Sequence, residues 1–473
     1  MQNKFYITTT LPYINADPHV GYAWEVVRAD AWARFQRLSG NDIFFNIGTD
    51  EHGSKIFERA NELGLDTQVY CDQQVEKFRE LKNVLNLSFD NFIRTTDEHH
   101  VKAAQEFWRQ TKNNGYIYKK NYKTKYCVGC EMEKTDSELV DNCCPLHPNR
   151  EIEIREEENY FFKFSAFQQK LLELYEKNPN FVVPAHRFNE IKSFVSMGLE
   201  DFSISRVKEK MPWGVPVPDD EEQVMYVWFD ALVNYISAIG WPDDMKKFNS
   251  WWPGIQVAGK DNLRPQSAMW QAMLMAVNLP ASKQIFINSF LTSNGQKMSK
   301  SLGNVISPYE MVEKFGIDGT RYILLSLNSF GDDADISWEW MTEKYNADLA
   351  NGIGNLISRT VKLSSMTNDQ FPISNEFSMT NDQISKFLDK FQIDKALEYI
   401  WNIIKEDNKY IEDNKPWELA KSNEKKFKEV MQKLLDDLDL ISQLLLPFLP
   451  DTSEKIKKAL ETKQVEPLFQ RIK

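Results

Sequence analysis

Apolar positions along the chain follow two rhythms. Residues 5–10 are β-branched and aromatic, which suits a buried strand. Beyond them, apolar residues recur at Trp24, Val27, Ala31, Trp32, Phe35 and Leu38, a helical spacing. Gly40 ends that helix, and residues 42–47 read as a second strand. Strand, loop, helix, strand is a βαβ unit, so a parallel sheet begins at the N-terminus. Helical spacing returns at Val75, Phe78, Leu81 and Leu85, and again over residues 101–111. From residue 116 to 222 the rhythm breaks into short β-rich runs (116–118, 122–127, 160–164), helical pieces and a turn-rich stretch at 211–218. It resumes at 223–230, 254–260 and a strand at 284–290, with a helix-like stretch at 266–275. After Phe315 the pattern is helical, with stripes at Leu349, Ile353, Leu356, Thr360 and Leu363 and at Val430, Leu434, Leu438, Ile441 and Leu445. The polar stretch 364–385, with Pro372, reads as a loop between helices.

The pattern predicts an α/β fold. A Rossmann-type parallel-sheet domain (1–115 and 223–315) is interrupted by an insertion (116–222). A connecting segment (316–345) and a helical domain (346–473) follow it. At 473 residues the chain is too long for a single core. With 42% hydrophobic and 27% charged residues it has the composition of a soluble globular protein, and no apolar run has the length of a membrane span. The N-terminus carries no signal-peptide core, so a cytoplasmic protein is expected. A net charge of −12 excludes a generally basic nucleic-acid coat but leaves room for a local basic face.

Ligands of parallel sheets bind outside the carboxyl ends of the strands. Three loops there carry candidate chemistry. The first, residues 11–22, places His19 and Gly21 at the mouth of a helix whose free N–H groups favour phosphate. Alone, His-x-Gly is also what an ordinary strand-to-helix turn looks like. The second places Asp50 and His52 after the second strand. The third, residues 293–304, brings Lys297 and Lys300 onto a turn between Gly295 and Gly303, where two lysines can reach over a triphosphate. A further cluster reads Cys127-x-x-Cys130 and, thirteen residues on, Cys144-x-x-His147. Two such knuckles supply a tetrahedral Cys3His zinc site. Cys143 could stand in for Cys144, although the two-residue gap favours Cys144. All four positions would be filled by protein, which marks a structural metal.

His19-Val-Gly21-Tyr22 resembles the HIGH signature of class I aminoacyl-tRNA synthetases, and Lys297-Met-Ser-Lys300-Ser301 matches their KMSKS signature. Further stretches resemble the methionyl-tRNA synthetase family in particular: Pro12-Tyr13-x-Asn15, Gly48-Thr-Asp50-Glu-His52-Gly53, Val227-Trp228-x-Asp230-Ala231, Gly259-Lys260-Asp261 and Asp413-Asn-Lys-Pro416-Trp417. The resemblance runs from about residue 5 to about residue 450. It implies ATP-dependent attachment of L-methionine to methionine tRNA through methionyl-adenylate, with pyrophosphate and AMP released. Carried over position by position, it implies that His19, Lys297 and Lys300 act on the triphosphate. Gly21, Tyr22, Gly259 and Asp261 would complete the ATP site. Leu11, Tyr13, Asp50, Trp228, Ala231, Tyr235 and Trp270 would hold methionine, with aromatic rings suited to its sulfur. Asn355, Arg359 and Trp417 would read the anticodon, as an amide, a guanidinium and an indole can. Structural Zn2+, Mg2+ with the ATP, a monomer and no membrane partner complete the expectation.

The resemblance departs at Tyr22, where a second His is usual. It departs again at Asn262, Pro265 and Gln266, where an aliphatic residue, an aromatic and a His are usual. Two other readings stay open on the sequence. One is a catalytically weakened tRNA-binding relative. The other is a class I synthetase for another aliphatic amino acid, although those carry a larger insertion than residues 116–222.

Overall fold

Six strands form one parallel sheet in a computed structural model that describes residues 3–473 apart from 131, 135–138, 299–302, 329–332, 366–370 and 372–381. Lys300 and Pro372 therefore lie outside the described residues. The first strands are β1 (Lys4–Thr9), β2 (Asp42–Thr49) and β3 (Asn91–Arg94). They step outward on one side of β1, and the strands Ile255–Gly259, Gln284–Asn288 and Val182–Val183 step outward on the other. The order of strands thus reverses between β1 and Ile255–Gly259, where Ile7 pairs with Ile255 and Thr9 with Val257. A crevice opens at such a switch point, beyond the carboxyl ends.

The helix α1 (Val20–Leu38) crosses from β1 to β2. His19 caps its start, and Gly40, at φ +82°, turns the chain out of it. The spacing of its apolar residues predicts one buried face. The structure differs: α1 is buried almost all round, including Glu25, Arg28 and Asp30. The physical reason is that helices from the C-terminal half cover its second face. Trp32 Nε1 donates to the Leu388 carbonyl at 3.1 Å. Asp30 meets Arg321 at 2.9 Å and Arg34 at 2.8 Å, and it accepts from Ser88. Charges can sit this deep because each has partners.

Two short strands carry no readable pattern. Val182–Val183 lies inside the stretch read as an insertion, yet it pairs with Ile285 and Phe286 at the sheet's edge. Ala334–Ile336, in the segment read as helical, pairs with Leu291–Ser293. Within the rest of 116–222, the long hairpin of Ile117–Cys127 and Glu153–Phe162 is the centre of a four-stranded antiparallel sheet, the helices Gln168–Lys177 and Ala185–Ser196 follow it, and Ser205–Val207 and Pro216–Val217 join a second small sheet with Asp220–Met225. The helix Pro308–Leu325 starts in a capping box of Ser307 and Glu310 with Pro308 in its first turn, and it kinks at Gly316. The C-terminal half is helical from Gly354–Ser364 to Pro450–Thr462. One buried core joins α1 to these helices, and a second lies with the insertion, including Phe107, Trp108, Phe162 and Trp270. No helix among the described residues is long and apolar enough to cross a membrane.

Candidate active site and metal centre

The crevice at the switch point is a cavity of about 510 Å³. Leu11, Tyr13, His19, Gly21, Tyr22, Asp50, Trp228, Ala231, Tyr235, Gly259 and Asp261 all line it. These residues come from four stretches of the chain, 11–22, 50, 228–235 and 259–261.

His19 is held by the turn it belongs to. Its Nδ1 accepts a hydrogen bond from the Gly21 N–H at 3.0 Å. A Cβ on Gly21 would stand 2.9 Å from Cε1 and 3.0 Å from Nδ1 of the same ring, so the cap requires glycine. Because Nδ1 accepts, the neutral ring carries its proton on Nε2 and can donate there. The ring keeps solvent access through the mouth of the cleft. The protein enclosing it lowers its pKa, and Asp261 opposes that shift. Val20 N–H donates to the Ile306 carbonyl at 2.9 Å, which ties the start of α1 to the end of the lysine-bearing loop.

That loop is braced from below. Asp335, in the strand Ala334–Ile336, accepts from Thr292 Oγ1 and from Gly295 N–H, both at 2.8 Å. Lys297 is exposed outside the cavity, its Nζ 5.4 Å from the ring centre of Phe290, which lines it.

On the opposite side, Asp50 is sewn to the first loop: its N–H donates to Pro12 O at 3.0 Å, and its carbonyl accepts from Ile14 at 3.3 Å. Trp228 and Tyr235 sit on two short helices, Val227–Ala231 and Asn234–Ser237. Trp270 does not reach the cavity. It packs behind Tyr235, ring centres 5.9 Å apart, within the insertion-side core. Tyr22 is buried edge-on to Phe78 at 5.8 Å, and burial raises its pKa, so its phenol stays neutral. The departures at 262–266 have a structural logic. Pro265 opens a wide π-type turn over Pro265–Met269. Gln266 Nε2 donates to the Tyr235 hydroxyl, while Gln266 Oε1 accepts from Gln256 at 2.9 Å.

Several lining or supporting groups lay beyond the sequence reading. Glu25 lines the cavity and accepts from Thr10 N–H at 2.8 Å and Thr10 Oγ1 at 2.5 Å. Burial pushes its carboxyl up to about 8 against those bonds. Asp230, fully buried behind Trp228, bridges His52 Nδ1 at 2.9 Å and His100 Nε2 at 3.4 Å. Burial works to raise its pKa, but the two imidazoles outweigh it and hold the carboxyl below its usual range. A buried charge at helical spacing inside an apolar stripe, as at Glu25, was the signal available in the sequence.

The four predicted metal ligands converge. Sγ of Cys127, Cys130 and Cys144 and a nitrogen of His147 lie within 4.8 Å of one another. Cys130 and Cys144 sulfurs are 3.3 Å apart, and His147 Nδ1 is 3.2 to 3.9 Å from the three sulfurs. A tetrahedral ion with ordinary Zn–S and Zn–N bonds needs ligand spacings of about 3.5–3.8 Å. The donor set therefore fits zinc. Gly129 leaves room for the imidazole, since a Cβ there would be 2.4 Å from His147 Cγ. Cys143 stays outside the cluster. Lys55 Nζ donates to the Gly129 carbonyl at 3.0 Å, and Lys55 and Cys130 both line the cavity, so the knuckle is part of its wall. In the helical half, the Arg359 guanidinium carbon is 5.7 Å from the Trp417 ring centre and its Nη1 pairs with Glu412 at 2.7 Å. Asn355 is exposed one turn before Arg359.

A nucleotide-type sheet with His-x-Gly at its switch point and a braced lysine loop beside it is the arrangement of class I tRNA synthetases. The family model "tRNA synthetases class I (M)" matches residues 5–152 and 146–361, and "Anticodon binding domain of methionyl tRNA ligase" matches 364–470. The methionine–tRNA ligase of Thermotoga maritima is 43% identical over 96% of this chain and 74% of its own length. That of Rickettsia conorii is 40% identical over 100% and 96%. A solved structure of Mycobacterium tuberculosis methionyl-tRNA synthetase in complex with methionyl-adenylate superposes with a TM-score of 0.89 at 35% identity, covering 99% of this chain and 98% of that one. The chain belongs to the methionine–tRNA ligase family.

Proposed function

We propose that the cavity joins methionine to ATP as methionyl-adenylate and then passes the methionyl group to the terminal ribose of methionine tRNA. In the first step the methionine carboxylate attacks the α-phosphorus and pyrophosphate leaves. In the second a ribose hydroxyl takes the methionyl carbonyl and AMP leaves. Neither step needs a covalent enzyme intermediate, so the side chains position groups and stabilise charge.

The observation that carries this reading is the capped His19. Its Nδ1 is occupied by Gly21 N–H, so Nε2–H is the donor offered to a phosphate oxygen at the positive end of α1. Lys297 and Lys300 supply positive charge toward the leaving pyrophosphate. Tyr22 shapes the wall without supplying charge. Gly259 and Asp261 hold the ribose side, beside Gly21. Asp50 and the Leu11 carbonyl take the methionine ammonium. Tyr13, Trp228, Ala231 and Tyr235 enclose the thioether, and Trp270 supports Tyr235 from behind. Asn355, Arg359 and Trp417 stack on and bond to anticodon bases.

Cys127, Cys130, Cys144 and His147 would hold zinc, which would crosslink the knuckle that forms part of the cavity wall, and Mg2+ would accompany the ATP. Methionine-dependent exchange of pyrophosphate into ATP, followed by charging of methionine tRNA, tests the proposal. Exchange driven by leucine, isoleucine or valine in place of methionine would overturn the substrate assignment. tRNA binding without exchange would point to a weakened relative.

A further inference from the structure

Arg28 lies at the middle of α1 and is fully buried, an uncommon place for a guanidinium unless it is tied down. Two different parts of the molecule hold it. Its Nη1 donates to Asn288 Oδ1, and its Nη2 donates to the Phe391 carbonyl at 3.1 Å. Asn288 ends the strand Gln284–Asn288, pairs in register with Gly259 and lines the cavity. Phe391 sits in the turn between the helices Asp382–Leu388 and Ile393–Asn414, with φ +56°. The guanidinium carbon is 5.1 Å from the Phe391 ring centre and 5.4 Å from that of Trp24, another cavity residue. Phe391 in turn stacks on Phe286 of the Asn288 strand, 4.4 Å away and nearly parallel. Trp32, one turn along α1, bonds the Leu388 carbonyl of the same turn.

The chemistry of the two groups sets a direction. A guanidinium has only donors, so the face of the Asn288 amide turned to Arg28 must be its oxygen. The amide nitrogen then points elsewhere, and among the described residues it finds no acceptor. An amide flipped the other way would set donor against donor. Arg28 thus fixes which end of Asn288 is available beside Gly259, and it does so while anchored to the helical half of the molecule.

We infer that Arg28 is a positioning residue: it orients Asn288 on the nucleoside side of the cavity and links that orientation to the seating of the Phe391 turn. This rests on the cavity being the ATP site. A lysine cannot replace it, because a single ammonium lacks the planar fork that spans both acceptors.

The test uses the full chain and steady-state ATP–pyrophosphate exchange. Losing a hydrogen bond to a charged group is expected to raise KM for ATP about tenfold in Arg28→Met, with KM for methionine within about twofold. Arg28→Lys should fail to rescue it. Asn288→Ala should raise KM for ATP to a similar degree, and the double variant should be no worse than Asn288→Ala alone, because one acts through the other. Melting temperatures separate this from general loosening: a merely structural Arg28 would lower Tm while leaving the ratio of the two KM values unchanged. That result overturns the inference, as does a double variant whose KM effects multiply. If Arg28→Met does not fold, Arg28→Lys and Asn288→Ala carry the same comparison. An unaltered chain without methionine-dependent exchange would overturn the site assignment itself and the inference with it. Normal exchange with an unchanged KM for ATP in Arg28→Met and Arg28→Lys overturns only the role of Arg28.

Discussion

Gly21→Ala separates a catalytic role of the His19 turn from a structural one. Gly21 does not adopt a positive φ, so alanine meets no backbone objection there. In the first turn of α1 alanine is the better helix former, by up to about 1 kcal/mol. Against that stands the cap. The new Cβ would lie 2.9 Å from His19 Cε1 and 3.0 Å from Nδ1, so the imidazole must turn away and its bond to the Gly21 N–H is lost. Losing a side-chain cap costs about 0.5–2 kcal/mol. The two terms nearly cancel, and Tm should move by only a few degrees. Catalysis has no compensating term. Once the ring rotates, Nδ1 is no longer occupied, the Nε2–H tautomer is no longer selected, and the donor no longer points along the helix mouth. Removing one preorganised donor to a developing oxyanion typically costs about 10²–10³ in rate. Exchange should therefore show kcat down about a hundredfold with Tm almost unchanged. If kcat in Gly21→Ala stays within about threefold of the unaltered chain, the imidazole is not the donor and the argument from its tautomer fails.

Glu25→Gln tests the buried acid. Its pKa is raised by burial to about 8, so the stability it contributes is fully present below its unfolded value near 4.3 and is lost as pH rises toward 8. Gln keeps the oxygen that Thr10 bonds but cannot ionise. The variant's stability advantage should therefore grow between pH 5 and pH 8, by at most about 4 kcal/mol, and a Tm difference constant with pH would refute the assignment. Metal analysis should find one zinc per chain in the unaltered protein and in Cys143→Ser but little in Cys144→Ser. Equal zinc in both variants would remove Cys144 from the ligand set. Arg359→Ala and Trp417→Ala should raise KM for methionine tRNA about tenfold or more, as loss of a base stack does, while moving KM for ATP far less. Parallel changes in both constants would count against an anticodon role.

Much of this site could be read before the fold was known, for a physical reason. The residues at 11–22, 48–53 and 259–261 follow strands directly, so each is placed by a short local turn, and a parallel sheet gathers such turns at one edge. The clustered Cys127, Cys130, Cys144 and His147 are local in the same sense, as two knuckles on one hairpin. Contacts made across the chain were not legible. Val182–Val183 joins the sheet with only two residues, too few to show a period. The burial of α1 depends on what covers its second face: Phe391, Leu388 and Arg321, distant in the chain, meet Arg28, Trp32 and Asp30 there.

The departures at 262–266 show the same limit and change what they mean. Read as letters, Gln266 in place of His is a loss. In the structure it is one member of a neutral network. Tyr235 is bonded by Gln266, Gln266 by Gln256, Gln256 by Ser282, and Ser282 by Gln271. Burial raises the Tyr235 pKa further above its ordinary value, and the amides and the serine do not titrate. A histidine at 266 would change charge near neutral pH beside Tyr235. This network cannot. With Gln266, the hydrogen bond to the Tyr235 hydroxyl has no partner that titrates near neutral pH.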